Sequence, residues 1–238
     1  ALKRTTGVPW MAEVHDPMVV PGSTPSTPQQ KKQAQVEALI CAQADLAIWF
    51  TEQALASARK RHPELGERGK AMVPGVDPPT VDLQPYRRGE HFVMAHFGSL
   101  APTRNLVRVV AAVEQVLQAE PALRGVLQVH TYGGPLDALS AQAIAASGAK
   151  EAFVHFGRLE TDPVSGVAGR DQILQCMRSA DVLLLLHGTD PICAEYIPSK
   201  LYEYLWMQRP ILALVHENTQ MAEMLAAQCQ VVVQTNRR

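Results

Sequence analysis

The strongest constraint on the fold is an alternation of short apolar segments with longer amphipathic segments from about residue 89 onward. The short segments are strand-like because they are rich in Val, Leu and Phe and are bounded by turn residues. Strands that alternate with helices are joined by right-handed crossovers, which make the sheet parallel and cover both of its faces. We therefore predict an α/β fold with a doubly wound, Rossmann-like parallel sheet. The predicted strands are 91–98, 125–133, 151–157, 181–188, 210–215 and 230–235, and the predicted helices are 103–120, 135–147, 171–180, 199–208 and 218–228.

Residues 1–85 lie before this alternation and are predicted to form a partial α/β segment. The stretch 21–30, PGSTPSTPQQ, contains almost nothing to bury and is predicted to be a loop. We place the domain boundary after residue 85, so that 86–238 form the second domain. The other predicted elements of the first segment are a helix at 31–44, a strand at 44–51, a helix at 52–62 and a short strand within 69–79.

Composition excludes several classes of partner. The formal net charge is -1, so no overall field attracts nucleic acid or an acidic membrane surface. The cysteines are scattered without C-x-x-C spacing, which argues against a structural zinc site and a disulfide framework (Cys41, Cys176, Cys193 and Cys229). No apolar run reaches the ~18 residues of a membrane span. We expect a cytoplasmic protein with no transmembrane segment, metal ion or cofactor, and peripheral membrane association stays open.

Candidate ligand contacts lie in the loops that follow the predicted strands. In an open parallel sheet, ligands bind beyond the carboxyl ends of the strands, where the loops lead into helix N-termini. Gly98 and Ser99 follow one predicted strand, and Arg104 is expected at the start of the next helix. Arg158 follows a later strand. Because helix N-termini favour anions, a cation there indicates a phosphate-binding edge.

The segment AEYIPSKLYEYL, residues 194–205, places two carboxylates around a predicted helix start. If the helix begins near Pro198–Ser199, then Ser199 and Lys200 lie at its anion-binding end. Glu203 would lie in the first turn and Glu195 on the preceding loop, so that both carboxylates can face one pocket. A carboxylate accepts hydrogen bonds from the paired hydroxyls of a sugar, and the helix start suits a diphosphate. These features predict a nucleotide-sugar site.

Plainer interpretations stay open for several of these residues. Glu203 also fits an ordinary solvated helix residue, and a Glu in the first turn favours the helix dipole. Gly98 and Ser99 alone are weak indicators, because doubly wound folds need small residues there. Histidines at the predicted strand ends are interpreted as core or rim residues rather than catalytic groups (His96, His130, His155 and His187).

The sequence from about residue 35 to 235 resembles the GT-B glycosyltransferases, especially family 4, also called glycosyl transferases group 1. The resemblance rests on Glu195-x7-Glu203, on PSKLYEYLWMQRPILALV and on the preceding SADVLLLL. HFGSLAPTRNLVRVVAAVEQV is similar to the glycine-led loop and helix of that family, and GKAMVPGVDPP is similar to the end of its N-terminal domain. The resemblance implies that 1–85 is the remnant of an acceptor-side domain and that 86–238 is the nucleotide-sugar-binding domain.

The resemblance also implies a role for each matching residue. Glu203 would bind the ribose hydroxyls of the donor, and Glu195 would be the catalytic residue that contacts the transferred sugar. Arg104 takes the place of a Lys that neutralises the diphosphate. Ser99 departs from the family pattern, because many members have an Arg there. The other implied donor contacts are Gly98 in the glycine-led loop, Arg158 beside the nucleotide base, and Pro198, Ser199, Lys200 and Leu201 at the helix start.

The activity that the resemblance implies is hexosyltransferase-like transfer of a sugar from a nucleoside-diphosphate donor to an acceptor hydroxyl. Such transfer would proceed with retention and without a metal, in polysaccharide or glycan biosynthesis. The acceptor is left open between a glycan and a lipid-linked saccharide. Most of the acceptor-side domain is expected to be absent, which leaves open whether this chain is active by itself. Two alternatives also stay open: a non-catalytic nucleotide-sugar-binding or interaction module, and a GT-B-fold sugar-nucleotide epimerase.

Overall fold

The computed structural model describes residues 2–228 and 230–235, which form two compact units. The first unit comprises the residues up to Gly75 together with Asp190–Ile197 and His216–Glu223. The second comprises Val76–Thr189, Pro198–Val215 and the residues from Met224 onward. The predicted division of roles at residue 85 stays a prediction, and Cys229 lies outside the described residues.

The first unit is built on a small parallel sheet with the strand order β1-β2-β3. Parallel pairing places Trp49 of β2 beside Val14 of β1 and Ala71 of β3. Trp49 packs with the buried Cys41 and Leu65 in the core of this unit. The elements are α1 (Leu2–Thr6), β1 (Met11–Val14), α2 (Pro28–Gln43), β2 (Leu46–Trp49), α3 (Glu52–Arg61) and β3 (Gly69–Ala71), with short 3₁₀ helices at Pro63–Arg68 and Pro191–Glu195.

The helix predicted at 31–44 begins earlier, at Pro28. Thr27 caps it, because its side chain accepts a hydrogen bond from the Gln30 N–H while the Gln30 side chain accepts one from the Thr27 N–H. Pro28 fits the first turn, where its missing N–H costs nothing. The predicted loop therefore ends at Thr27, and the capping residues explain why.

The second unit contains a six-stranded parallel sheet with the strand order β6-β5-β4-β7-β8-β9. The chain progresses outward from β4 on one side and from β7 on the other, which confirms the predicted doubly wound sheet. The strands are β4 (Phe92–Phe97), β5 (Leu127–Tyr132), β6 (Phe153–Gly157), β7 (Val182–Leu186), β8 (Ile211–Val215) and β9 (Val231–Gln234). The helices are α4 (Val107–Ala119), α5 (Ala138–Ala146), α6 (Gly169–Ser179), α7 (Lys200–Trp206) and α8 (Thr219–Ala227), of which the first residues of α8 belong to the first unit.

The order of the strands reverses between β4 and β7, which is where doubly wound sheets bind ligands. In the register of these two strands, Met94 pairs with Val182 and Ala95 pairs with Leu183. The loops that carry most of the predicted site residues follow the carboxyl ends of β4, β6 and β7. No helix within residues 2–228 and 230–235 is long and apolar enough to cross a membrane.

Candidate functional site

The loops after β4, β5 and β6 contact one another through their glycines. The Gly98 N–H donates to the Tyr132 carbonyl at 2.9 Å, and the Gly133 N–H donates to the Gly157 carbonyl at 2.8 Å. Gly98 and Gly133 have φ angles of +141° and +139°, a region that favours glycine. A Cβ at Gly133 would lie 2.5 Å from the Gly98 oxygen, so the two backbones are in close contact. The Gly98 loop and the loop that begins at Arg158 are thus connected through Gly133.

Arg104 does not lie at a helix start, so this part of the prediction is wrong. The helix predicted from 103 begins at Val107, because residues 101–104 form a tight turn closed by backbone hydrogen bonds between Ala101 and Arg104. The Arg104 Nε donates to the Ser99 carbonyl at 3.0 Å. Arg104 and Ser99 are therefore in contact, and the loop itself, rather than a helix N-terminus, brings them together.

Two side chains join β4 to β7 beyond their last paired residues. The His96 Nδ1 lies 3.0 Å from the Leu184 carbonyl. The hydroxyl of the fully buried Tyr204 accepts a hydrogen bond from the Phe97 N–H at 3.0 Å and donates to the Leu184 carbonyl at 3.5 Å. Because a carbonyl can only accept, Nδ1 of His96 carries the proton and Nε2 is an acceptor. Within the part of the chain that the structure describes, Nε2 is buried and has no hydrogen-bond partner.

His96 predicts a pH dependence of stability. Burial lowers its pKa to about 4, the Leu184 carbonyl acts in the opposite direction, and the positive charges of Arg104 and Lys200 lower it further. As the pH falls, His96 is therefore protonated near pH 6.5 in the unfolded chain but only near pH 4 in the folded chain. We expect the free energy of unfolding to fall by about 3 kcal/mol between these pH values from this residue.

Urea unfolding of the wild type and of His96→Gln at a series of pH values measures this effect. The difference between the two proteins isolates His96 from the carboxylates that titrate in the same range. A wild-type curve that runs parallel to the His96→Gln curve from pH 6.5 to pH 4 would rule out a buried neutral histidine at this position.

The helix that follows β7 begins at Lys200, close to the predicted start near Pro198–Ser199. The Leu201 N–H donates to the Pro198 carbonyl at 2.9 Å, and the Tyr202 N–H donates to the Ser199 carbonyl at 3.1 Å. The Leu201 N–H therefore already has an acceptor, which argues against its predicted role in diphosphate binding. Among the described residues, the N–H groups of Ser199 and Lys200 have no such acceptor.

Glu203 lies between two cations. The Arg170 Nη2 donates to Oε1 at 2.8 Å, and the Lys200 Nζ donates to Oε2 at 2.7 Å. The Glu203 side chain is only 17% exposed. Burial by itself would raise its pKa, but the hydrogen bonds from Arg170 and Lys200 outweigh burial and lower the pKa below its usual value. Glu203 is therefore an ionised acceptor with fixed partners rather than an ordinary solvated residue.

Glu195 is a buried carboxylate of the first unit, at the end of the 3₁₀ helix Pro191–Glu195. Its backbone carbonyl accepts from the Thr51 hydroxyl at 2.6 Å, and its Oε1 accepts from the Ser57 hydroxyl. Oε2 is buried, and no donor among the described residues contacts it. Burial raises the pKa of Glu195, while the Ser57 hydroxyl and the charge of Arg61 act against this increase. A buried carboxylate with an unpartnered oxygen is a candidate functional group.

The structure brings some predicted site residues into contact and leaves others separate. Ser99 contacts Arg104, and Lys200 contacts Glu203. Arg158 is exposed and follows Gly157 at the end of β6. Glu195 belongs to a different unit from the others, so the prediction that both carboxylates face one pocket stays a prediction.

Sequence reasoning missed Arg170, Ser57 and Tyr204. Arg170 carried a usable signal, a cation at the start of a helix that follows a strand. The predicted helix starts at 171 and leaves Arg170 outside it, whereas α6 begins at Gly169. Ser57 and Tyr204 look like ordinary helix residues in the sequence, and only the fold brings them to Glu195 and to β4.

No family model and no curated protein sequence matches the chain. Several solved structures, however, are similar to its fold. TarM has a TM-score of 0.66 at 12% identity, covering 96% of this chain and 41% of its own. Anabaena Alr3699/HepE in complex with UDP has a TM-score of 0.65 at 16% identity, covering 98% and 60%. The Burkholderia vietnamiensis α,α-trehalose-phosphate synthase (UDP-forming) has a TM-score of 0.61 at 14% identity, covering 97% and 57%.

The chain has the GT-B fold. At these identities the likeness concerns the fold alone, and the GT-B fold matches the sequence-based expectation. The chain spans between 41% and 60% of the length of these three structures. Within residues 2–228 and 230–235, no group of three or more His, Cys, Asp or Glu side chains is placed so that it could hold a metal ion.

Proposed function

We propose that this chain is the donor-binding part of a glycosyltransferase that moves a sugar from a nucleoside-diphosphate donor to an acceptor hydroxyl. The observation that carries the proposal is the Glu203 carboxylate, which Arg170 and Lys200 hold in the first turn of α7, the α-helix that follows β7 at the switch of the sheet. An ionised carboxylate at this edge suits hydroxyl groups, and the adjacent cations suit phosphate. Solved GT-B structures include Alr3699/HepE in complex with UDP and glucose, which supports this class of ligand.

The donor would bind along the carboxyl edge of the second unit. We assign the ribose hydroxyls to Glu203 and the diphosphate to Lys200 and Arg104, helped by the N–H groups of Ser199 and Lys200. A Cβ at Gly98 would meet, among the described residues, no atom nearer than the His96 Nε2 at 3.9 Å, which supports a role for this backbone beside the diphosphate because a ligand can approach it. The base would lie beside Arg158.

The chemistry would rest on preorganised charge. As the bond from the sugar to the diphosphate breaks, negative charge builds up on the leaving group, and cations that are already in place stabilise it. Arg104 and Lys200 can supply this charge, so we propose that transfer needs no metal. Retention at the anomeric carbon and membership of family 4 remain part of the proposal through the Glu-x7-Glu resemblance.

Glu195 is proposed to contact the transferred sugar. Its buried Oε2 has no donor among the described residues, so this oxygen is ready to accept a hydrogen bond from a sugar hydroxyl. The Ser57 hydroxyl holds the other oxygen and would orient the carboxylate. A cytoplasmic, hexosyltransferase-like enzyme acting on a glycan or a lipid-linked saccharide remains part of this proposal.

Two substitutions separate donor binding from the later chemistry. We expect Glu203→Ala to weaken UDP binding by about 1–3 kcal/mol, because charged hydrogen bonds to the ribose would be lost. We expect Glu195→Gln to leave UDP binding nearly unchanged, since UDP lacks the transferred sugar. Isothermal titration calorimetry with UDP, GDP and ADP measures both effects, and Glu120→Ala, at an exposed position after α4, is the control.

If Glu203→Ala retained the wild-type affinity for the nucleotide that binds best, the ribose assignment would be wrong. If Glu195→Gln lost nucleotide affinity as strongly as Glu203→Ala, Glu195 would belong to the nucleotide site rather than to the sugar.

A further inference from the structure

Arg170 holds Glu203 with a fork of two nitrogens. Its Nη2 lies 2.8 Å from Oε1 and its Nη1 lies 3.4 Å from Oε2. Lys200 reaches Oε2 at 2.7 Å from its own position in α7. Each carboxylate oxygen therefore has a cationic partner, and the carboxylate cannot rotate without breaking one of these bonds.

The backbone at the start of α6 fixes the position of Arg170. A Cβ on Gly169 would lie 2.0 Å from the Leu159 carbonyl oxygen, so the loop after β6 is in direct contact with the first residue of the helix. The Gln172 side chain donates to the carbonyls of Glu160 and Val167 at 2.8 and 3.0 Å. The loop that begins at Arg158 and the helix start that carries Arg170 thus form one tied segment.

The pair contributes little to stability. The Arg170 side chain is 52% exposed, whereas that of Glu203 is 17% exposed. When Arg170 is replaced, Lys200 still neutralises Glu203, so the loss should stay near the 0 to about 1 kcal/mol of exposed ion pairs. Holding a long arginine side chain in one orientation also costs conformational entropy. The fold therefore does not need this contact, and its geometric effect on Glu203 is the more informative property.

We propose that Arg170 is a positioning residue that orients the Glu203 carboxylate toward a pair of neighbouring hydroxyls, so that the site selects ribonucleoside over 2′-deoxyribonucleoside diphosphates. The inference rests on the proposed function. A carboxylate accepts about four hydrogen bonds, two on each oxygen. Arg170 Nη2 occupies one direction on Oε1, which leaves the other direction for one ribose hydroxyl. Oε2 accepts from Lys200 at 2.7 Å and from Arg170 Nη1 at a long 3.4 Å, and the second ribose hydroxyl would take the place of this long contact. A 2′-deoxyribose would lack one of these two hydrogen bonds to a charged acceptor, which lowers its affinity relative to the ribose.

The test compares the affinities of UDP and 2′-deoxy-UDP, and of GDP and 2′-deoxy-GDP, by calorimetry. The variants are Arg170→Gln and Arg170→Lys, with Arg108→Gln as the matched control. Arg108 is the second residue of α4, as Arg170 is the second residue of α6, and its side chain is exposed. Urea unfolding of each variant provides a separate readout of stability.

We expect the wild type and Arg108→Gln to prefer the ribonucleotide by roughly 10- to 100-fold. In Arg170→Gln this preference should fall to about threefold or less, and Arg170→Lys should restore part of it, with unfolding midpoints close to the wild type. An unchanged preference in Arg170→Gln, even with weaker binding overall, would overturn the inference while leaving the proposed function intact. A wild type that binds none of the four nucleotides would overturn the proposed function and the inference with it.

Discussion

Replacing Gly133 with alanine is expected to cost about 2–6 kcal/mol of folding stability and to weaken nucleotide binding. The new Cβ would lie 2.5 Å from the oxygen and 2.9 Å from the carbonyl carbon of Gly98. These are backbone atoms that cannot swing aside, and overpacking of this kind typically costs about 1–3 kcal/mol. The φ angle of +139° adds a strain of about 1–3 kcal/mol for a residue with a side chain.

Any relief of this clash would have to move the Gly98 loop, which is why binding should also suffer. Gly134→Ala is the matched control, because the nearest atom to its Cβ would be the Ser99 Oγ at 3.9 Å, an ordinary contact. Urea unfolding and UDP calorimetry on both variants measure the two effects. Equal stabilities of Gly133→Ala and Gly134→Ala would mean that the loops after β4 and β5 do not meet as described.

Replacing Arg61 with methionine is expected to destabilise the first unit by about 3–5 kcal/mol. The Glu37 side chain is 1% exposed, and the Arg61 Nε and Nη2 donate to its two oxygens at 2.7 and 3.0 Å. Without Arg61, the buried Glu37 carboxylate keeps only the His62 Nε2, 3.5 Å from its Oε1. A buried charge that has lost its main partner costs far more than the pair is stabilising. Chemical denaturation of Arg61→Met against the wild type measures this loss.

The double substitution Glu37→Leu with Arg61→Met separates the buried charge from lost packing. We expect it to recover most of the stability, because no carboxylate then remains buried without a partner. A double variant as unstable as Arg61→Met would show that side-chain packing, and not the ion pair, explains the loss. The charge of Arg61 also opposes the increase that burial causes in the pKa of Glu195, so replacing Arg61 should raise this pKa further.

The architecture could be predicted from the sequence because it depends on pattern. Short apolar segments such as 181–188 favour buried strands, and their alternation with helices indicates that these strands are parallel. Helix starts were harder to predict. Thr27 with Gln30 extended one helix, while the turn at 101–104 shortened another, because local hydrogen bonds compete with the apolar period that the prediction follows.

The candidate site was predictable where its members are neighbours in the chain, as Lys200 and Glu203 are. The partners that determine the state of the carboxylates come from distant positions. Arg170 reaches Glu203 across 33 residues, and Ser57 reaches Glu195 across 138. No spacing rule connects such positions, because the separation depends on how the sheet is wound.

Turnover of nucleotide sugars tests most directly whether this chain belongs to a sugar-transferring enzyme. The measurement is release of nucleoside diphosphate from a panel of UDP- and GDP-sugars, with and without saccharide acceptors, on the longest natural form of the protein. We predict release and a glycosylated product in the wild type, and strongly reduced release with intact nucleotide binding in Glu195→Gln. Nucleotide binding without turnover across the panel would contradict the claim and favour a non-catalytic module, whereas an epimerised sugar nucleotide as the product would favour an epimerase.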